Sequence, residues 1–71
     1  MTILYKHRKN DTTEFRVEIK DFYDQKYVDF RQWFTSDGKE WLRTKKGATL
    51  PIEELTNLVR ALNNVKLPIS A

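Results

Sequence analysis

Residues 14–20 (EFRVEIK) alternate between charged and apolar side chains at every position. A repeat of two residues places Phe15, Val17 and Ile19 on one side and the charged side chains on the other. This is the pattern of a β-strand with one buried face. After a short connection, the aromatic-rich segment 26–34 (KYVDFRQWF) predicts a second strand. A chain with these two segments is expected to build an antiparallel sheet.

Two further strands are predicted later in the chain. The segment 36–39 contains an Asp-Gly pair, which favours a type I′ hairpin because both central residues of that turn have positive φ. The hairpin leads to a short third strand at residues 40–43. A turn at residues 45–47 then leads to a brief fourth strand at residues 48–50.

From Ile52 onward the apolar residues recur with the period of an α-helix. Their stripe spans an arc of about 140°, which is wider than the arc of about 100° that a surface helix needs to cover one sheet. The stripe consists of Ile52, Leu55, Leu58, Val59, Leu62 and Val65. Pro51 lies where the helix begins, and Glu53 and Glu54 fall in its positive first turn. Pro68 stops any continuation of the helix, and the chain end is expected to fray.

Together, these patterns predict an α+β fold with a four-stranded antiparallel sheet followed by one C-terminal helix. We expect the helix to cover one face of the sheet and the other face to stay open. The chain divides into an N-terminal arm or extra strand at residues 1–13, a binding domain at residues 14–66 and a tail at residues 67–71. The extra width of the helical stripe predicts a homodimer with contacts from Leu55, Leu58, Val59, Leu62 and Val65.

The composition excludes several classes of chemistry. The chain has 71 residues, no cysteine, two glycines and one histidine, His7. A chain this short buries only about 60% of the surface that its unfolded form exposes, so its stability as a monomer is expected to be marginal. Without cysteine the chain can form no disulfide, and oligomerisation is the remaining way to gain stability. No glycine-rich phosphate loop is present, and the aspartates lack the spacing of an acid–base pair or a calcium loop. We therefore expect no enzyme activity, no cofactor and no metal.

The open face of the predicted sheet combines aromatic rings with cations. Alternation places Tyr27, Arg31 and Trp33 on the side opposite Val28 and Phe30. Neighbouring strands and turns add Arg16, Lys20, Trp41, Arg43, Lys45 and Lys46. Unpaired bases stack on aromatic rings at about 1–3 kcal/mol each, while Lys and Arg contact the phosphates. Together with a net charge of +3, this face predicts binding of single-stranded nucleic acid.

Other roles remain open for the same residues. Phe15 and Phe30 are expected in the core, and a homodimer interface would also bury Tyr27 and Trp33. An RNA-binding protein is the nearest alternative, because nothing in the sequence reads the ribose 2′-hydroxyl. A protein-interaction module that grips a polypeptide with the same rings is the second alternative.

Two segments carry a resemblance to a known family. Residues 17–34 (VEIKDFYDQKYVDFRQWF) align without a gap with the family's strand pair VSVRDFKGKVLIDIREYW, and residues 45–50 (KKGATL) align with RKGISL. From about Glu14 to Leu62 the chain resembles the C-terminal domain of transcriptional positive cofactor four, a single-stranded-DNA-binding coactivator family with bacterial members. The resemblance implies a curved four-stranded sheet, a dimer formed through the helices, and two grooves that hold single strands running in opposite directions.

The resemblance also implies the DNA contacts. The family's contact positions correspond to Phe22, Tyr23, Gln25, Arg31, Phe34, Lys45 and Lys46. Phe22 and Phe34 would supply stacking faces, while Arg31 and the two lysines would contact phosphates. Our count along the second strand places Arg31 and Phe34 on opposite faces. Both therefore reach DNA only if that strand bends or ends near Trp33.

Several departures from the family pattern bear on the predicted site, and the hairpin glycine is also displaced by one residue. Gln25 replaces a family lysine, and Lys26 beside it can substitute. Phe34 replaces a tryptophan, and Trp33 lies one position earlier. Asp24 stands where the family turn has glycine, and aspartate tolerates the left-handed region less well than glycine does.

These observations combine into one expectation: a homodimeric, non-enzymatic protein that binds single-stranded DNA with little sequence preference in transcription regulation, replication or repair. Since no apolar run approaches about 18 residues and no signal peptide is apparent, we expect it to be soluble and cytoplasmic, and nucleoid-associated in a bacterium. The expected nucleic-acid contacts are Lys20, Phe22, Tyr23, Lys26, Arg31, Trp33, Phe34, Trp41, Arg43, Lys45 and Lys46.

Overall fold

A computed structural model describes residues 2–65 of the chain. Its sheet has the strand order β1-β2-β3-β4, and every neighbouring pair is antiparallel. One helix follows the sheet. The elements are β1 (Thr2–Arg8), β2 (Thr13–Phe22), β3 (Gln25–Phe34), β4 (Leu42–Pro51) and α1 (Glu53–Asn63). The predicted fold class, four antiparallel strands followed by a helix, is confirmed.

The assignment of strands was wrong at the β4 edge of the sheet, whereas at the other edge the structure has the extra strand that was one of the two expectations for residues 1–13. The N-terminal arm contains a full strand, β1, whose alternation is hidden because the register with β2 shifts between Ile3 and Tyr5. The predicted third and fourth strands are one continuous strand, β4. The turn predicted at residues 45–47 is instead an irregularity within β4, where the register with β3 shifts between Arg31 and Trp33.

The type I′ turn was predicted at the wrong hairpin. Tyr23 and Asp24, between β2 and β3, both have positive φ (50° and 61°), as a type I′ turn requires. In the connection from β3 to β4 only Gly38 has positive φ (77°). That connection is organised by side chains instead. An Asp37 carboxylate oxygen accepts hydrogen bonds from the Lys39 and Glu40 backbone N–H groups at 2.8 and 3.0 Å.

The apolar face of the sheet is only partly covered. The helix packs against β4, so Val28, which pairs with Leu50 of β4, is fully buried. Phe15 lies further away on β2 and is 38% exposed, so the expectation of a core position for it was wrong in the single chain. Phe30 is half-buried. The expectation that the helix covers the whole face was also wrong, because α1 lies at the β4 edge.

The dimensions agree with an incompletely covered sheet. The radius of gyration is 14.2 Å, whereas a compact chain of this length would have about 11 Å. The principal extents are 42 × 39 × 18 Å, so the molecule is thin in one direction. Val28 is the only buried hydrophobic residue among residues 2–65. A single chain therefore leaves much of its apolar surface in contact with water.

The helix carries the predicted apolar stripe and buries none of its residues. Ile52, Leu55 and Leu58 are half-buried, whereas the remaining stripe residues Val59, Leu62 and Val65 are exposed. The helix ends at Asn63, so Val65 lies just beyond it. The predicted tail and the stop at Pro68 lie outside the described residues. Within residues 2–65, the one helix is too short to cross a bilayer.

Candidate nucleic-acid interface

One face of the sheet, called the polar face below, carries most of the predicted site. The β2–β3 register sets Arg16 opposite Arg31, Lys20 opposite Tyr27, and Glu14 opposite Trp33. Because side chains alternate along a strand, all of these lie on the side opposite Val17 and Phe30. The neighbouring strands add Lys6, Arg8, Arg43 and Thr49 to the same face.

A buried ion pair lies at the centre of the polar face. Asp29 is 1% exposed, and its carboxylate accepts hydrogen bonds from Arg31 Nε at 3.2 Å and from Arg31 Nη2 at 3.0 Å. The Thr49 hydroxyl donates to the same carboxylate at 3.1 Å, and Arg43 Nη2 lies 3.6 Å from it. Burial alone would raise the pKa of Asp29, but these hydrogen bonds and the two guanidinium charges outweigh it and lower the pKa.

The same arginine organises the irregularity in β4. Arg31 Nη1 donates a hydrogen bond to the Thr44 carbonyl oxygen at 3.0 Å. The Thr44 hydroxyl in turn donates to the Gln32 carbonyl and accepts the Lys46 backbone N–H at 3.2 Å. These bonds hold a bulge of three residues (Thr44, Lys45 and Lys46) opposite Gln32. Bulges redirect side chains, and Lys45 and Lys46 on this one are both exposed.

Gly47 permits β4 to approach β3 next to this bulge. A Cβ atom at Gly47 would collide with the Phe30 carbonyl oxygen and would lie 3.0 Å from both Cα and Cζ of Arg31. The φ of Gly47 is not in the left-handed region, so close approach rather than backbone conformation requires glycine here. The position of the Arg31 guanidinium therefore depends on the absence of a side chain at residue 47.

Two aromatic rings project from the β2–β3 turn. Phe22 and Tyr23 are 62% and 85% exposed, and their ring centroids lie 4.4 Å apart in an edge-to-face arrangement. Tyr23 has left-handed backbone (φ 50°), which is uncommon for an aromatic residue, and such conformations often mark functional positions. Beside the turn lies a groove of about 510 Å³. It is lined by Lys20, Asp21, Phe22, Tyr27, Arg43 and Thr49.

The opposite end of the polar face holds a stack of two tryptophans and two arginines, called the Trp–Arg stack below. The Arg16 guanidinium carbon lies 4.3 Å from the Trp33 ring centroid and 5.8 Å from that of Trp41. The Arg8 guanidinium lies 5.1 Å from the Trp41 ring. Both arginines also contact Glu14, at 2.9 Å from Arg16 Nε and 3.5 Å from Arg8 Nη2. These cation–π contacts connect β1, β2, β3 and the β3–β4 connection.

Glu14 is the acidic member of this end of the face. Its side chain is almost fully buried. Burial raises its pKa, but the hydrogen bond from Arg16 and the charges of Arg16, Lys6 and Arg8 outweigh it and lower the pKa below its ordinary value. Glu14 is therefore ionised at neutral pH and neutralises only part of the surrounding positive charge.

The sequence model of the family described as transcriptional coactivator p15 (PC4) matches residues 9–61. That span contains β2, β3, β4 and most of α1. This chain belongs to the PC4 family. The resemblance seen in the sequence is thereby confirmed. A comparison with curated proteins finds no match.

Solved structures of PC4 homologues share the fold. A PC4 homologue from Burkholderia pseudomallei in an orthorhombic crystal form superposes with a TM-score of 0.75 and 19% identity, covering 87% of this chain and 84% of that one. Its tetragonal form gives 0.74 at 19% identity, covering 87% and 91%. The bacteriophage T5 homologue of the eukaryotic coactivator PC4, implicated in recombination-dependent DNA replication, gives 0.67 at 23% identity, covering 82% and 68%.

The structure brings together most of the residues expected from the sequence and the PC4 resemblance. The polar face, its bulge and its turn hold Lys20, Phe22, Tyr23, Arg31, Trp33, Trp41, Arg43, Lys45 and Lys46. Two expected residues, Lys26 and Phe34, lie apart from them on the other side of the sheet. Lys26 pairs with Asp21, with its Nζ 3.0 Å from Oδ1. Phe34 aligns with Thr13 and Leu42.

The strand does not bend to bring Phe34 onto the polar face. Up to Phe34, β3 keeps an unbroken register with β2, although β3 ends there. The count that placed Arg31 and Phe34 on opposite faces is confirmed. Gln25, another position implied by the PC4 family, is exposed beside the β2–β3 turn.

Sequence reasoning missed several residues that shape this site. Asp29, Thr44 and Gly47 position Arg31 and the bulge, while Arg8 and Glu14 complete the Trp–Arg stack. The Asp-x-Arg spacing at residues 29 and 31 was a usable signal, because residues two apart on a strand share a face. The role of Arg8 had no such signal, because it depends on pairing between β1 and β2.

Proposed function

We propose that this PC4-family protein binds single-stranded DNA through the polar face, with little sequence preference and without catalysing a reaction. The family description names a transcriptional coactivator, and the phage T5 homologue is implicated in recombination-dependent DNA replication. Both functions expose unpaired strands. We therefore place this protein in transcription regulation, replication or repair, acting in the cytoplasm where such strands form.

The observation that carries the proposal is the combination of rings and cations around the 510 Å³ groove. Phe22 forms part of its wall and Tyr23 lies beside it, so exposed π-faces are available where bases would enter. Lys20 and Arg43 line the same groove and can neutralise phosphates. Stacking tolerates every base and phosphate contacts carry no sequence information, so such a groove binds with little sequence preference.

Phosphate contacts come from the exposed cations rather than from Arg31. The three guanidinium nitrogens of Arg31 already donate to Asp29 or to Thr44, and the residue is only 8% exposed. Arg31 therefore acts as a positioning residue that holds the bulge. Lys45 and Lys46 on that bulge, together with Arg43, are the cations available to the backbone.

Dimerisation belongs to the same proposal. We assign the interface to five residues of the apolar stripe, namely Leu55, Leu58, Val59 and Leu62 of α1 and Val65 just beyond it. The stripe has exposed members, and the adjacent apolar face of the sheet exposes Phe15, Phe34 and Leu42. A second copy that covers this surface would remove a large apolar area from water, at about 25 cal/mol per Å².

The central test is fluorescence anisotropy with an oligo-dT strand of roughly 16 nucleotides, within the range of site sizes known for single-strand binders. We expect the single strand to bind and the matching duplex to bind much more weakly, because duplex DNA offers no free base faces. Equal binding to both would contradict the proposal. Competition with a matched RNA strand decides between the DNA and RNA functions, and stronger competition by RNA would reverse our assignment.

Variants separate phosphate contacts from stacking. Replacing Lys45 and Lys46 by Ala should reduce the salt dependence of binding by about 1.4 log units per log unit of salt, since each single-strand phosphate contact contributes about 0.7. Arg60→Ala on the helix is the control, with an unchanged slope. Slopes that are equal in the double variant and in wild type would refute phosphate contacts by the bulge.

Stacking is tested by a pair of phenylalanine variants. Phe22→Ala removes a ring from the groove and should weaken binding by about 5- to 150-fold, which corresponds to about 1–3 kcal/mol. The salt slope should stay unchanged. Phe34→Ala lies on the opposite face and should weaken binding less. A larger effect at Phe34 than at Phe22 would show that the DNA follows the other side of the sheet.

A further inference from the structure

We propose that β1 forms a second phosphate-binding segment of the same interface, in which Arg8 contacts the DNA backbone and Arg16 positions Trp33 and Trp41. This inference rests on the proposed binding of single-stranded DNA and assigns a role to the N-terminal strand. The ligand is a longer single strand that continues from the groove across the sheet to its β1 edge.

The register of β1 places its cations on the polar face. Lys6 pairs with Arg16, and Arg8 pairs with Glu14. Every residue of β1 is exposed, and the Arg8 side chain is 60% exposed although it lies 3.5 Å from Glu14. Glu14 keeps its shorter contact with Arg16 when Arg8 turns away, so Arg8 can exchange the carboxylate for a phosphate at little cost.

The local charge favours an anionic ligand. On the same face, Glu18 lies two residues along β2 from Arg16 and is 2% exposed. Lys6, Arg8 and Arg16 lie around the Glu14 carboxylate, so cations outnumber carboxylates and leave an excess of positive charge at this end of the face. Nucleic-acid phosphates match that excess. Lys20 and Arg43 continue the positive charge into the groove, so the two segments form one surface.

Arg16 is suited to positioning rather than to direct contact. Its side chain is only 14% exposed, its Nε is held by Glu14 at 2.9 Å, and its guanidinium lies near both tryptophan rings. Trp41 belongs to the β3–β4 connection, outside any strand, and the guanidinium carbons of Arg8 and Arg16 lie 5.1 and 5.8 Å from the centroid of its ring. A ring held in place before binding loses less conformational entropy when a base stacks on it.

The β1 segment lies far from the Phe22 end of the groove. Phe22 and Glu14 are eight residues apart on β2, a distance of about 27 Å at about 3.4 Å per residue. At the duplex rise of about 3.4 Å per nucleotide, that distance corresponds to about eight nucleotides, and to fewer in a stretched strand. An oligo-dT of roughly 16 nucleotides is therefore long enough to occupy both ends.

The first test measures the salt dependence of oligo-dT binding for Arg8→Gln against wild type, with Arg60→Gln on the helix as the matched control. We expect Arg8→Gln to lower the slope by about 0.7 log units per log unit of salt and the control to leave it unchanged. Wild-type affinity and slope in Arg8→Gln would overturn the assignment. Failure of the wild-type protein to bind oligo-dT would instead overturn the proposed function itself.

The second test uses the fact that the chain has two tryptophans. In a Trp33→Phe variant the emission reports on Trp41 alone, and we expect oligo-dT to change it as a base stacks on that ring. Adding Arg16→Lys, which keeps the charge but removes the planar guanidinium, should reduce the change while the salt slope is retained. Binding that leaves the Trp41 emission unchanged, or an emission change that Arg16→Lys does not reduce, would contradict the proposal.

Discussion

Asp29→Asn is the substitution that most sharply tests the buried ion pair at the centre of the polar face. It keeps the size and one acceptor oxygen of the side chain but removes its charge. Arg31, which is 8% exposed, would then lose the anion that receives its Nε and Nη2 hydrogen bonds. Removing one partner of a buried pair leaves an uncompensated charge and typically costs about 3–5 kcal/mol.

The structure indicates a value near the lower end of that range. Asparagine still accepts from Thr49 and from one Arg31 nitrogen. Arg43, the second cation near Asp29, has a half-exposed side chain and can turn to water. We therefore expect a loss of about 3 kcal/mol in the free energy of unfolding. For a domain of this size, each 1 kcal/mol corresponds to about 4–8 °C in Tm, so Tm should fall by roughly 12 °C or more.

Asp21→Asn provides a matched control within the same chain. Asp21 forms an ion pair with Lys26 at the same N···O distance, 3.0 Å, but both side chains are more than half exposed. An exposed pair contributes about 0–1 kcal/mol. Urea unfolding followed by tryptophan fluorescence, at one fixed protein concentration, should separate the two variants clearly. Equal losses in both, or a loss under 1 kcal/mol in Asp29→Asn, would refute the reasoning.

Three other outcomes follow from the structure. Gly47→Ala should destabilise the protein by about 1–3 kcal/mol in urea unfolding, because the alanine Cβ would collide with the backbone of β3 and with Arg31. Unchanged stability would show that β4 can move away from β3 without cost. The folded-state pKa values of Glu14 and Asp29 are depressed, so the stability they provide is present above about pH 4–5 and is lost as pH falls through the lower folded values; an unchanged urea midpoint near pH 3 would contradict this. Leu58→Asp should give monomers or unfolded chains in light scattering, whereas an intact dimer would contradict the proposed interface.

The local sequence pattern was sufficient to predict the two central strands, β2 and β3. The alternation of residues 14–20 and the aromatic segment 26–34 lie within β2 and β3, and the shared face of Arg16, Arg31 and Trp33 follows from it. These strands are predictable because a buried face imposes a repeat of two residues without reference to any other segment. The helix is predictable for the same reason, with its own period.

Features set by pairing between distant segments were not predictable. The bulge in β4 depends on Arg31, thirteen residues before Thr44, so a local reading of Lys-Lys-Gly gave a turn. The Asp-Gly pair at residues 37–38 did not form the predicted type I′ turn, because the Asp37 carboxylate accepts hydrogen bonds from the backbone of its own loop. The Trp–Arg stack needs β1 beside β2, and β1 has no regular alternation because of its own irregularity at Ile3–Tyr5.

The most direct test of the central claim is a map of the DNA-contacting surface by backbone amide chemical shifts in NMR, recorded as oligo-dT is added. We predict the largest shifts on the polar face and its bulge, at Lys20, Phe22 and Lys45, with small shifts along α1. Shifts concentrated around Phe15 on the apolar face, or along α1, would contradict the claim that the polar face receives the single strand.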